Sequence, residues 1–90
     1  MNTISDRELA DNVKNGAVKE FRIVQNVAGK YEIVVKLAWK EGEVVLQSQR
    51  KKAREWASLD RLVRHIRENY NGSVPTILLT LQTEKKDESG

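Results

Sequence analysis

The sequence predicts an α+β domain of two layers, in which two helices cover one face of an antiparallel sheet. Three observations lead to this prediction: two apolar stripes with helical spacing, a central run of strict two-residue alternation, and glycine-containing turns between the alternating segments. In chain order they give the elements α-β-β-β-α-β. A chain of 90 residues has room for one hydrophobic core. We therefore expect residues 1–83 to form a single domain, followed by a disordered charged tail at residues 84–90.

The first helix begins at Ser5, which has the spacing of a capping box with Glu8. Asn15–Gly16 ends it after only two to three turns. Such a helix is marginal in isolation, so we expect it to pack on the sheet. Its apolar stripe consists of Leu9, Ala10 and Val13.

Three alternating strands follow and are joined by tight links, which favours an antiparallel meander. The first begins at Val18, and we expect Phe21, Ile23 and Val27 to share one of its faces. The second, YEIVVKLAWK, alternates most strictly, and we predict that Trp39 lies in the core because it continues the apolar face. EVVLQSQ forms the third strand after a turn at Gly42. The apolar face of the second strand consists of Tyr31, Ile33, Val35, Leu37 and Trp39.

The second helix begins after Ser58, and Asn71–Gly72 ends it. A last strand, TILLTLQ, has Ile77, Leu79 and Leu81 on one face. We expect it to add to an edge of the sheet or to lie beside the first strand, where a parallel orientation is open. The apolar stripe of the helix consists of Leu59, Leu62, Val63, Ile66 and Tyr70.

The composition argues against catalysis. The chain has no cysteine, so it has no disulfide, no thiolate metal site and no cysteine nucleophile. Its one histidine, His65, is expected to be exposed on the polar side of the second helix, with no partner at catalytic or metal-binding spacing. We therefore expect no enzymatic activity, no catalytic residues, no metal, no cofactor and no small-molecule substrate.

The N-terminal segment MNTISDRELADN is polar and acidic, unlike a signal peptide. No apolar run approaches the roughly 20 residues that span a bilayer. We expect a soluble cytoplasmic protein that does not associate with membranes.

The clearest asymmetry of the sequence is a basic segment at residues 50–67. It has seven basic and two acidic side chains, an excess of five, whereas the whole chain has a net charge of +3. Such clusters attract phosphate backbones through charge and counterion release. We predict a nucleic-acid-binding accessory or regulatory protein, with DNA favoured over RNA. The predicted contacts are Arg50, Lys51, Lys52, Arg54, Trp56, Arg61 and Arg64.

Plainer interpretations of this segment stay open. The basic run could be a solvated loop, with Asp60 and Arg64 forming an ion pair at i, i+4. Trp56 could pack on the core instead of stacking on a base. The polar face of the sheet is a further candidate surface, for nucleic acid, for a protein partner or for a homodimer. Its expected residues are Arg22, Lys36, Lys40 and Gln47, with Val34, Val45 and Leu78 between them.

Two resemblances accompany these residues. The succession of helix, three-stranded meander and helix is similar to the topology of the double-stranded RNA-binding domain. The segment LQSQRKKAREWASLDRLVRHIRENY resembles small accessory proteins of bacterial plasmids and integrated elements, through Arg54, Trp56, Ser58, Leu59 and Asp60. The second resemblance implies DNA or a host protein as the partner.

Overall fold

The computed structural model describes residues 2–50, 52–70 and 74–82, which form a five-stranded mixed sheet and two helices. The order across the sheet is β1-β4-β3-β2-β5. The predicted α+β class is confirmed. The predicted helix stop at Asn71–Gly72 and the predicted tail at residues 84–90 lie outside the described residues. The elements are β1 (Asn2–Ile4), α1 (Asp6–Lys14), β2 (Val18–Gln25), β3 (Tyr31–Leu37), β4 (Glu43–Leu46), α2 (Leu59–Asn69) and β5 (Ile77–Thr80).

The predicted meander is present. β2 pairs antiparallel with β3, and β3 pairs antiparallel with β4. The two connecting turns contain Gly29 and Gly42 at φ angles of 81° and 84°, which a side chain would disfavour. β5 lies beside β2 and parallel to it, with Phe21 opposite Ile77. The parallel placement, which the sequence left open, is therefore the one that the chain adopts.

One strand was not predicted. β1 precedes α1 and pairs parallel with β4, so that Ile4 lies opposite Leu46. Three residues are too few for an alternating pattern to be visible in a sequence. The sheet is therefore mixed, and its element order is β-α-β-β-β-α-β.

Both helices pack on one face of the sheet. Ser5 caps α1 through the predicted box: its Oγ accepts from the Glu8 N–H at 3.1 Å, and its own N–H donates to Glu8 Oε1 at 3.0 Å. The stripes of the two helices then enclose a single core. Its central members are Leu9, Val13, Phe21, Ile33, Leu37, Leu46, Leu62, Ile66 and Tyr70.

The prediction that Trp39 lies in the core is wrong. β3 ends at Leu37, and Trp39 lies in the following turn with 65% of its surface exposed. Its indole N–H donates to Asn12 Oδ1 at 2.7 Å, which fixes the ring against the end of α1. An alternating pattern gives the face of each residue but not the residue at which the chain leaves the sheet.

Two further apolar predictions differ from the structure. Val27 lies in the turn after β2, not on its inner face, and is 90% exposed. In and directly after β5, Ile77, Leu79 and Leu81 are 38–53% exposed, because β5 is an edge strand that the helices cover incompletely. Their alternation nevertheless places Ile77 and Leu79 beside Phe21 and Ile23 of the inner face.

Candidate nucleic-acid interface

The chain reverses direction directly after β4. The Ser48 N–H donates to the Lys52 carbonyl at 2.6 Å, and Gln47 lies opposite Ala53 in an isolated bridge. The Arg50 N–H donates to Ser48 Oγ at 3.2 Å inside this loop. Arg50 and Lys52 are both exposed. The third predicted contact, Lys51, lies outside the described residues.

Trp56 packs on the core. Its backbone exchanges two hydrogen bonds of 2.9 Å with Tyr31, and only 9% of its surface is exposed. The Arg54 guanidinium carbon lies 4.8 Å from the centre of the indole ring, and the His65 ring centre lies 5.2 Å from it. The structure thus favours the packing alternative, since a buried ring offers no face to a base.

Arg54 belongs to a polar cluster centred on Asp6. Arg54 Nη1 donates to Asp6 Oδ2 at 3.3 Å, and His65 Nε2 lies 3.2 Å from Asp6 Oδ1. The Tyr70 hydroxyl also donates to Asp6 Oδ1. Burial, together with this bond to a carboxylate, raises the pKa of Tyr70. The cluster therefore joins the segment after the reversal, the first turn of α1 and the C-terminal half of α2.

His65 is not the exposed residue that the sequence predicted, since only 13% of its side chain is exposed. Asn69 Nδ2 lies 3.2 Å from His65 Nδ1 and donates to the His65 carbonyl at 2.9 Å. An amide that donates to Nδ1 leaves the ring proton on Nε2, where it points at Asp6. Both ring nitrogens then lie within hydrogen-bonding distance of groups of the protein, which ties α2 to the first turn of α1.

α2 carries the remaining predicted contacts. Arg61 and Arg64 are exposed, and the Arg61 N–H donates to the capping Ser58 Oγ at 3.4 Å. Arg61 lies one helical turn before His65, so it shares the flank of α2 that faces the Asp6 cluster. In the described part of the chain, no ion pair joins these arginines to a carboxylate, and the pairing of Asp60 with Arg64 does not form. We call Arg50, Lys52, Arg61 and Arg64 the basic surface.

Arg7 is a cation near this surface that sequence reasoning missed. A shallow groove of about 320 Å³ separates the N-terminal turn of α1 from the reversal after β4. Arg7 lies about forty residues before the basic segment in the chain, and only the parallel pairing of β1 with β4 brings the two together. The groove is lined by Ser5, Asp6, Arg7, Gln47, Ser48, Gln49 and Arg54.

The polar face of the sheet is a weaker candidate for binding phosphate, because its charges pair with one another. Arg22 Nη2 lies 2.9 Å from Glu20 Oε2, and Lys36 Nζ lies 4.0 Å from Glu20 Oε1. Val34 and Val45 are buried between these side chains. Two cations of this face therefore share one carboxylate, whereas no described carboxylate pairs with the cations of the basic surface.

No protein-family model, no curated protein and no solved structure matches this chain. Neither helix of the described residues has the length and apolar character needed to cross a bilayer. Over the same residues, no group of three or more His, Asp or Glu side chains could hold a metal ion. The site must therefore be interpreted from its own geometry and charge.

Proposed function

We propose that this protein binds nucleic acid without catalysing a reaction, as an accessory or regulatory protein whose preferred partner is duplex DNA. The observation that carries the proposal is the basic surface, whose four cations are exposed and have no carboxylate partner within the described residues. Unpaired cations release counterions when they neutralise phosphates, and this release provides most of the affinity for a nucleic-acid backbone. Arg7 extends the surface across the groove beside α1.

Duplex DNA is favoured over a single strand because the basic surface contains no exposed aromatic ring. Single-stranded nucleic acid is usually bound on stacking platforms, and Trp56 is buried beneath Arg54 and His65. The resemblance to accessory proteins of plasmids and integrated elements also favours DNA. The absence of cysteine fits a reducing compartment, and we propose a cytoplasmic location.

A titration of the amide NMR spectrum with a short duplex DNA tests the proposal. At about 50 mM salt we expect shifts at Arg7, in the reversal and along α2, and at about 200 mM salt we expect them to weaken strongly. The absence of shifts at either salt concentration, with duplex DNA, single strands and RNA alike, would show that the proposed function is wrong.

Replacing cations of the basic surface with glutamate tests whether this surface contacts the DNA. We expect Arg50→Glu with Lys52→Glu to weaken DNA binding about tenfold or more and to lower the slope of log affinity against log salt by about two. The matched control is Lys19→Glu with Lys40→Glu, which changes the net charge equally at the opposite end of the meander, beside the exposed Trp39. Equal losses in both double variants would mean that binding follows net charge and not this surface. A loss confined to the control would place the interface beside Trp39.

The second candidate function is that of a protein-interaction module. It is favoured by β5, an edge strand whose four residues are all exposed. Edge strands recruit partners by strand addition. The charges of the polar sheet face are paired internally, so the edge is the better candidate for such a partner.

A further inference from the structure

The outer edge of β5 is a strand edge without a described partner. β5 pairs with β2 on one side, and no strand of the described residues pairs with its other side. The segment Ile77–Gln82 has no charge, no proline and no glycine. Natural proteins often protect an exposed edge with charged residues or proline, and β5 has neither, so its outer edge is open to pairing with another strand.

The direction of the backbone groups in β2 can be derived from its turn. The Asn26 N–H donates to the Lys30 carbonyl at 2.7 Å, so the backbone of Asn26 faces β3. Direction alternates along a strand, and the backbone groups of Ile23 and Gln25 therefore face β5.

The register between β2 and β5 shows which backbone groups of β5 face away from β2. Ile23 lies opposite Leu79, and in a parallel pair a residue bonds to the two neighbours of its partner, here Leu78 and Thr80. The Gln82 N–H, which donates to Gln25 Oε1 at 3.0 Å, continues the same alternation. The N–H and C=O groups of Ile77, Leu79 and Leu81 therefore face away from β2.

The side chains of the same three residues form an exposed apolar stripe on the face of the sheet that the helices cover. Val63 is also exposed, on the flank of α2 that is opposite to His65 and thus away from α1. The unpaired backbone groups and the exposed side chains therefore occur at the same alternate positions of β5.

We propose that β5 binds β5 of a second copy of this chain, antiparallel, about a two-fold axis that passes by Leu79. In this register Leu79 lies opposite its own copy, and Ile77 lies opposite Leu81 of the second copy. Each of these pairs would exchange two backbone hydrogen bonds and would bring two apolar side chains together. The two sheets would join into one, with all helices on the same face. This inference deepens the second proposed function and does not depend on nucleic-acid binding.

The absence of charge suits a second copy, and the available area limits how tightly that copy can bind. A strand without charge meets its own copy without repulsion, whereas a charged edge would oppose like charges across the axis. Complete burial of the exposed apolar side chains would remove about 400 Å² from each copy, or about 800 Å² in total. This upper limit is below the roughly 1,200 Å² at which stable specific interfaces begin, so we expect a weak association that depends strongly on concentration. The side chains concerned are Val63, Ile77, Leu78, Leu79 and Leu81.

Sedimentation velocity and amide hydrogen exchange, both without nucleic acid, test the dimer over about two decades of concentration. We expect the chain to shift from monomer to dimer, and the Leu79 amide to exchange about tenfold more slowly where 90% of the chain is dimeric. The Leu78 and Thr80 amides are the internal control, because they face β2 and are expected to be protected at every concentration.

The substitution Leu79→Lys tests whether the two-fold axis of the dimer passes by Leu79. Leu79→Lys would bring two ammonium groups together at the two-fold axis, and we expect it to remain monomeric with an unchanged circular dichroism spectrum. The matched control is Val27→Lys, a change at an exposed apolar residue in the turn after β2, which should dimerise as the wild type does. A dimer that persists in Leu79→Lys, or a dimer in which the Leu79 amide stays unprotected, would overturn the proposal.

A wild-type monomer at all concentrations would also overturn the dimer, and the Leu79 amide then separates two cases. If this amide exchanges freely, the edge is open and the broader protein-interaction function can still stand. If it is protected in the monomer, the edge is already covered within the chain, and both the dimer and the edge-based interaction function are wrong.

Discussion

The two edges of the sheet are built in opposite ways. At one edge, β1 has three residues, its inner residue Ile4 is 4% exposed, and α1 begins two residues later. At the other edge, β5 has four residues, every one of which is exposed. Asp6, directly after β1, accepts hydrogen bonds from Arg54 and Tyr70 and lies within bonding distance of His65.

The difference shows how a small domain divides its stabilising contacts. β1 is very short, and its one apolar residue, Ile4, is buried in the core, whereas Asn2 and Thr3 are polar and exposed. β5 is the last of the described elements, and its apolar side chains are more exposed than Ile4, so they contribute less to the stability of the monomer. We expect the β1 edge to determine stability and the β5 edge to determine association.

The same substitution at both edges tests this division most strongly. Ile4→Ala should lower the free energy of unfolding by about 3 kcal/mol, because it opens a cavity in the core. Ile77→Ala removes the same atoms from a half-exposed site, and we expect it to cost less than about 1 kcal/mol. Urea denaturation at a concentration that keeps the chain monomeric gives both values. Equal losses would show that the helices cover the two edges equally.

Removing the centre of the polar cluster should have the next largest effect. Asp6→Ala takes the common acceptor from Arg54, His65 and Tyr70, and we expect a loss of about 2 kcal/mol in the free energy of unfolding. The control is Asp11→Ala, an exposed carboxylate on the same helix, which should change stability by less than about 0.5 kcal/mol. If the two variants unfold at the same urea concentration, the cluster does not anchor the β1 edge.

The Tyr70 hydroxyl should make stability depend on alkaline pH. Burial and the bond to Asp6 raise the pKa of Tyr70 in the folded state, so the unfolded chain releases this proton first. The contribution is complete below the ordinary tyrosine pKa of about 10 and is lost as the pH rises above it. Tyr70→Phe should cost about 1 kcal/mol at neutral pH and should lose less stability between about pH 9 and 11 than the wild type. Parallel curves of stability against pH for the two proteins would contradict this role.

Substitutions of the two helix-capping serines should have the smallest effects on stability. Ser5→Ala breaks both bonds of the capping box that follows β1, and we expect it to cost about 1 kcal/mol. Ser58→Ala removes one longer bond of 3.4 Å at α2 and should cost about half as much. Thermal unfolding of the two variants, recorded side by side, measures the difference. The bonds with Ser5 also lower the pKa of Glu8, so the advantage of Ser5 over Ser58 should shrink as the pH falls through that lowered pKa.

The candidate site was only partly visible in the sequence. Arg50, Lys52, Arg61 and Arg64 are exposed, as a cluster of cations on a loop and an outer helix face predicts. The sequence left Trp56 open between core packing and base stacking, and it did not predict the ion pair of Arg54, because both depend on the distant residues Tyr31 and Asp6. A charge count shows how many cations a segment carries, but not which of them the folded chain uses for its own ion pairs.

The sequence alone was sufficient to predict those features whose interactions join residues close together in the chain. The capping box of Ser5 and Glu8, the two-residue alternation of the meander and the glycine turns all rest on groups only a few residues apart. Only the tertiary structure decided the features that depend on distant contacts. These include the parallel pairing of β1 with β4, the burial of His65 against Asp6, and the exposure of Trp39 and of β5. The physical reason is that burial and pairing are properties of surfaces brought together by folding, whereas periodicity is a property of a single segment.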